Sequence, residues 1–383
     1  MNETSLTHPA LLPVGLRDVL PPEAELEARS VETIMDCFAA HGYQRVKPPL
    51  LEFEDSLFAG SGAATAEQTF RLMDPESQRM MGLRADTTPQ IARLATTRLA
   101  SAPRPLRLAY AGQCLRVRGS QLQPERQIAQ AGIELIGHDT AEADAEIILT
   151  AVEALAAVGL TSISIDLTVP RLVLHLLEDL PAANRPALAR ALDRKDAAEV
   201  AELDGPIAGL LLQLLEATGT AERAIPALLA IDLPESARIQ AVRMAETVAA
   251  IRRQRPDLPL TADPVEFRGY QYHTGICMTL FAPGRQAELG RGGRYLCGDT
   301  EPATGITLYP DTIVRVAPDQ KLRPRIYLPF GTTPEQAAAC RAQNFATVAE
   351  LDAHSPPLEE AARLGCSYIY KNGAIAPLAK DLK

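Results

Sequence analysis

The sequence predicts an α+β fold with a helical insertion and a small α/β domain at its C-terminal end. Three observations predict it. Period-two stretches such as LRLAYAGQCLRV, RQIAQAGIELIG and SISIDLTV are interleaved with segments of helical spacing. Residues 170–252 carry Leu, Ala and charge with helical spacing and no strand pattern. After Val316 the stretch APDQKLRPR is polar and Pro-containing, and a short α/β pattern follows it. The expected organisation is a core over 1–320, interrupted at 170–252, and a separate unit over 321–383.

Residues 1–22 are Pro-rich and read as irregular. Leu26, Val31, Ile34, Met35 and Phe38 share one side of a helix from Pro22 to about His41, and Gly42 is placed to end it. YQRVKPPLLEF reads as a strand broken by Pro48 and Pro49, and TFRLMD and RMMGLRAD as two strands around DPESQ. DTTPQIARLATTRLA opens a helix, with Asp and Thr as cap candidates and Pro89 in the first turn. Two strands follow, then an Ala-rich amphipathic helix over 141–158 and the strand SISIDLTV. Strands resume at EFRGYQYHTGICMTLFA, where Gly275 predicts a bend or bulge. In the tail, IYLPFG reads as a strand, TPEQAAACRAQ as a helix capped by Thr332 or Thr333, and PLEEAARLG as a helix ended by Gly365. SYIYKNG reads as a strand closing on an Asn-Gly turn.

Composition narrows the function. Hydrophobic residues make up 46% of the 383, enough for a sizeable core, and the formal charge of −10 argues against broad contact with nucleic acid. Six cysteines lie far apart with no C-x-x-C pair, which argues for reduced thiols and against a metal site. The N-terminus lacks the features of a signal peptide, and no run of about 18 apolar residues suggests a membrane span. The expectation is a soluble cytoplasmic protein.

Five polar stretches stand out. Asp86, Thr87 and Thr88 either cap a helix or, through Asp86, grip an amine. Arg116 and Arg118 share one face of a strand, either a solvated face or a grip for carboxylate or phosphate. Gln130, Gly132 and Glu134 alternate with the apolar Ala131, Ile133 and Leu135. Arg268, Tyr272 and His273 lie in EFRGYQYHTG, where a lone histidine is more often structural. The glycines of ELGRGGRY either form a turn or bring backbone close to a ligand. Together they would supply a carboxylate for an amine, arginines for a carboxylate, and Gln, Glu and Tyr for a polar ring. That inventory suits an amino acid whose side chain hydrogen-bonds.

The order GLRADTTPQIAR, GQCLRVR…ERQIAQAGIELIG, FRGYQYHTG and GRGGRY resembles the class II aminoacyl-tRNA synthetase core, and more narrowly its histidyl branch, over about residues 14–315. The resemblance implies a mostly antiparallel sheet, a dimer formed through the first motif, and a helical insertion before the last strands. It also implies a histidine-binding set. Asp86 and Thr88 fall at the amino group, Arg116 at the second-motif arginine, and Gln130 and Glu134 against the amino acid, with Glu134 near the imidazole. Arg268 falls at the arginine of the histidine-specific stretch and Tyr272 at its first tyrosine.

Several positions depart from that pattern. Arg118 stands where the second motif has an acid, His273 where the histidine stretch has a second tyrosine, and Gln271 where an acid precedes it. In GITLYPDTIVRV, Tyr309 takes a glycine position and Thr312 that of the ATP-gripping arginine, with Arg315 three residues on. The tail is smaller than an anticodon-binding domain. The form LRADTTPQIAR is similar to a family of paralogues, the regulatory subunits of short-form ATP phosphoribosyltransferase. That resemblance implies a non-catalytic chain with no cofactor and no metal, and L-histidine as an effector. It implies self-association and a hetero-oligomer with the short catalytic subunit, and it implies neither membrane nor nucleic acid as partner. The alternative is an adenylating enzyme of the histidyl-tRNA synthetase type, and a third is a sensor domain mimicking tRNA recognition, which should carry a basic face.

Overall fold

The computed structural model describes residues 11–119, 124–178, 185–202, 206–267, 272–282, 287–298, 300–318, 322–352 and 356–378. The chain divides into two compact units, Met1–Pro318 and Asp319–Lys383.

A nine-stranded sheet dominates the first unit. Its spatial order is Gln44–Arg45, Leu106–Leu115, Gln127–Ile136, Glu301–Leu308, Ala287–Cys297, His273–Ala282, Ser164–Thr168, Leu260–Asp263 and Gly219–Thr220. All neighbours run antiparallel except Gln44–Arg45 with Leu106–Leu115 and Ser164–Thr168 with Leu260–Asp263. The alternation in QAGIEL is realised. Ala131, Ile133 and Leu135 enter a core with Ile34, Met35 and Phe38 of helix Glu23–Ala40 and Ile147, Ile148 and Ala151 of helix Ala141–Ala157. The opposite face packs Leu108 and Tyr110 with Ile91 and Ala95 of helix Thr88–Thr96. With both faces covered, strand Gln127–Ile136 is buried from Ile128 onward, and its polar residues must find partners inside.

Local signals set the element ends. Gly42 adopts φ +83° just past the first helix, and the Thr140 side chain accepts the Ala143 N–H at 3.3 Å to cap the next. Gly275 lies where the register of strand His273–Ala282 shifts, between His273 and Cys277.

Three readings are corrected. The insertion is helical over Pro170–Glu178, Arg185–Asp193, Ala197–Ala201, Pro206–Glu216, Ala221–Ala230 and Glu235–Gln254, but it also holds the short strand Gly219–Thr220. Two residues carry no periodicity, and only their pairing with Leu260–Asp263, itself unread in the sequence, defines them. The glycine cluster of ELGRGGRY is no turn but the middle of strand Ala287–Cys297. Arg116 and Arg118 do not share a strand face. The strand ends at Leu115, and Val117 donates to the Gln68 carbonyl at 2.8 Å, drawing the chain away toward a different segment.

A buried ion pair ties the sheet to its helical layer. Arg294 donates to Asp144 at 2.7 Å and to the carbonyls of His138 and Thr140 at 3.1 Å each. Burial pushes the Asp144 carboxyl above its ordinary range, while Arg294 pulls it the other way. Among the described residues, no helix is long and apolar enough to cross a membrane.

The second unit is a four-stranded sheet in the order Ala346–Ala349, Arg325–Leu328, Tyr368–Lys371 and Ala374–Pro377. Helix Pro334–Ala342 is closed at its start by a reciprocal cap between Thr333 and Gln336. Asn372 and Gly373 both take positive φ, 53° and 80°, as a two-residue hairpin turn requires.

Candidate functional site

Glu134, on the polar face of strand Gln127–Ile136, lies in the floor of a small pocket. Cross-strand register explains the space. Glu134 lies opposite Gly305, Gly305 opposite Gly293, and Gly293 opposite Cys277. Two side-chain-free positions in a row beside a carboxylate leave a trough in the sheet. The adjacent row runs Tyr110, Gly132, Thr307 and Arg291. A Cβ on Gly305 would stand 1.7 Å from Glu134 Oε2, and one on Gly132 would stand 2.5 Å from the Tyr110 hydroxyl. These glycines let long polar side chains cross the strands beside them.

Glu134 is 1% exposed, and both of its oxygens are engaged. Thr88 Oγ1 donates to Oε1 at 3.1 Å, and the Tyr295 hydroxyl donates to Oε2 at 3.0 Å. Burial pushes its carboxyl up to about 8, against the pull of those two donors. Around it, Tyr110 pairs with Thr307 Oγ1 at 2.7 Å. Tyr272 stacks on His273 with ring centres 4.2 Å apart and meets Tyr295 edge-on at 6.0 Å. Tyr272, His273 and Arg291 line the same pocket as Thr88, Glu134 and Tyr295, and Arg291 is paired with Glu288 at 2.9 Å.

A second chain of bonds joins this pocket to the start of helix Thr88–Thr96. Gln130 Oε1 accepts from Thr87 N at 3.0 Å, Thr87 Oγ1 at 2.9 Å and Cys114 Sγ at 3.1 Å, and its Nε2 donates to Asp86 at 3.3 Å. Asp86 also accepts the Thr88 N–H at 3.2 Å. The capping reading of the trio therefore holds for Asp86 alone. The two threonine hydroxyls point across to Gln130 and Glu134, and no side-chain cap forms at Thr87. The helix start is in this way bolted to the sheet strand that carries the buried carboxylate.

Asp86, Thr88, Gln130 and Glu134 are thus joined in one network, and Tyr272 and His273 lie over it. Arg116 is half-buried, with its Nε donating to the Ala85 carbonyl at 3.4 Å beside Asp86, and has no bond into that network. Arg268 lies outside the described residues. Sequence reasoning missed Arg291, Tyr295 and Thr307 as pocket residues, and Tyr110, which bonds Thr307. A signal exists for two of them: Arg291, Gly293 and Tyr295 stand two apart and so share a strand face.

Where the third motif would hold nucleotide, Tyr309 is buried close to Arg116, Arg291 and Glu288, and burial pushes its phenol up. Helix Pro310–Val316 follows at once. Its Asp311 carboxylate accepts the Ala129 N–H at 2.8 Å, and its Arg315 is exposed and held by Glu125 at 3.0 Å.

The histidyl-tRNA synthetase family model matches residues 15–313. A Gluconobacter oxydans protein named ATP phosphoribosyltransferase regulatory subunit is 52% identical over 96% of this chain and 97% of its own. One of the same name from Rhodospirillum centenum is 52% identical over 96% of each. Among solved structures, an ATP phosphoribosyltransferase regulatory subunit/histidyl-tRNA synthetase from Bacillus halodurans C superposes with a TM-score of 0.79 at 24% identity, covering 95% of this chain and 97% of that one. Histidyl-tRNA synthetase from Nostoc sp. PCC 7120 gives 0.77 at 17% identity, covering 97% of each. At these identities the structural likeness establishes a class II synthetase-like fold.

Proposed function

This chain belongs to the ATP phosphoribosyltransferase regulatory subunits of the histidyl-tRNA synthetase family, and we propose from that premise that it conveys histidine feedback to a short catalytic subunit without performing chemistry itself. It dimerises through its synthetase-like core, joins the catalytic chain in a cytoplasmic hetero-oligomer and supports the first step of histidine biosynthesis. The carrying observation is an asymmetry. The amino-acid side of the pocket keeps its buried carboxylate and its donors, whereas the nucleotide side has Thr312 at the arginine position and a buried Tyr309 at the glycine position.

Arg315 does not replace the missing cation, since Glu125 and the Asp311 carbonyl already hold it on the surface. A lost charge-assisted phosphate contact costs about 1.5–3 kcal/mol in binding, and more in a transition state where charge develops. Histidine-dependent exchange of pyrophosphate into ATP is therefore expected to stay at background. Robust exchange would make the chain an adenylating enzyme instead.

In the assembled complex, histidine inhibits by binding the inhibited arrangement more tightly than the active one, as linkage requires. Co-purification with the short catalytic chain, assayed with and without histidine, tests this directly. Gly305→Ala is expected to abolish the histidine response, because the new methyl takes the place of the Glu134 carboxylate. Binding of the catalytic chain should persist. A normal histidine response in this variant would mean that the effector binds elsewhere, at a subunit interface.

A further inference from the structure

Far from the sheet pocket in sequence, the ends of two helices bring together three side chains of metal-binding type. Cys37 and His41 stand four apart at the end of helix Glu23–Ala40, so they lie on one face. Glu153 stands about one turn before the end of helix Ala141–Ala157, which packs on the first through Ile34, Phe38, Ile147 and Ala151. One ligand atom from each of the three lies within 4.8 Å of the other two. His41 Nε2 meets Glu153 Oε2 at 3.0 Å.

The electrostatics of the place favour a cation. Helix C-termini carry partial negative charge, usually answered by a basic residue in the last turn. Neither helix has one there. At the end of helix Glu23–Ala40, where His41 is the capping residue, the Glu153 carboxylate adds a further negative charge. The His41–Glu153 contact is a weak answer to that field, because Glu153 is 63% exposed and such pairs contribute little. A thiol beside them adds nothing to an ion pair, but it completes a sulfur, nitrogen and oxygen set.

We propose that Cys37, His41 and Glu153 form a binding site for a borderline-soft divalent ion of the zinc class, with a fourth position open to solvent. That donor set is what such ions take in tetrahedral sites, at about 2.0–2.3 Å from each atom. Closing from the observed spacing needs only side-chain rotation, for which the exposed Glu153 has room. By clamping two helices, the ion stabilises the layer that backs the sheet.

The test uses the full chain, stripped with chelator and titrated with Co²⁺ as the spectroscopic probe. One equivalent is expected to give tetrahedral visible bands and a sulfur-to-cobalt charge-transfer band, both erased by added Zn²⁺. Zn²⁺ should also raise the melting temperature. Cys37→Ser should abolish the charge-transfer band and lower Zn²⁺ affinity by about 100-fold, and Glu153→Gln should keep the band and weaken affinity by about tenfold. His41→Asn, which should lower Zn²⁺ affinity by about 100-fold while leaving the sulfur ligand in place, keeps the assignment testable should the serine variant fail to fold, and metal-free melts of each variant check the fold. No charge-transfer band, or a band that survives in Cys37→Ser, overturns the assignment.

Discussion

Replacing Glu134 with glutamine is expected to weaken histidine inhibition of the assembled complex by about 10- to 100-fold, the value of one charge-assisted bond of about 1.5–3 kcal/mol, made when a bound imidazolium holds Glu134 in its ionised form. The shape of the pocket should survive. An amide oxygen can still accept from Tyr295, and the amide nitrogen can donate to Thr88 Oγ1. Titrating histidine against catalytic activity in parent and variant complexes measures the shift, and unchanged sensitivity would remove Glu134 from the effector site. The same substitution should alter pH-dependent stability in a defined direction. The folded carboxyl titrates near 8 against an ordinary 4.5, so the folded state holds the proton longer. Its contribution is complete below 4.5 and is lost as pH rises toward 8. The glutamine variant lacks that loss, so ligand-free variant and parent should melt alike near pH 4.5 and the variant should melt higher at pH 8.5.

Arg294→Ala is expected to cost about 3–5 kcal/mol of stability, since it leaves the Asp144 carboxylate buried without its cation. Asp144 is fully buried and Arg294 is 5% exposed, so water replaces neither partner readily. For a unit of this size the melting temperature should fall by roughly 4–8 °C. The paired change Arg294→Met with Asp144→Leu should be markedly less harmful than Arg294→Ala, because it removes the stranded charge along with its partner. Thermal melts of the three proteins decide the matter, and a single variant that melts with the parent would refute it. The consequence reaches the pocket, because strand Ala287–Cys297 carries Arg294 on the helix side and Arg291 and Tyr295 on the other.

The sequence by itself determined where most elements lie and which face of each is apolar, because burial requires period two in strands and 3.6 in helices. The helix around Ile34 and Phe38 was legible for that reason, as was the alternation that sets Gln130 and Glu134 against Ala131, Ile133 and Leu135. The hairpin at Asn372-Gly373 was legible too, because few residue pairs accept two positive φ values. Tertiary structure alone decided what depends on pairing across distance. Nothing local says what Gly293 and Gly305 are for. Only their register beside Glu134 turns them into the trough that accommodates its side chain. Arg116 and Arg118 separate because Val117 bonds to a segment that no local pattern foretells. His41 and Glu153, 112 residues apart, become neighbours only when two helices pack. Periodicity records which side of an element faces the core, but not which residue lies opposite on the next strand or helix, and the chemistry of both sites rests on that second relation.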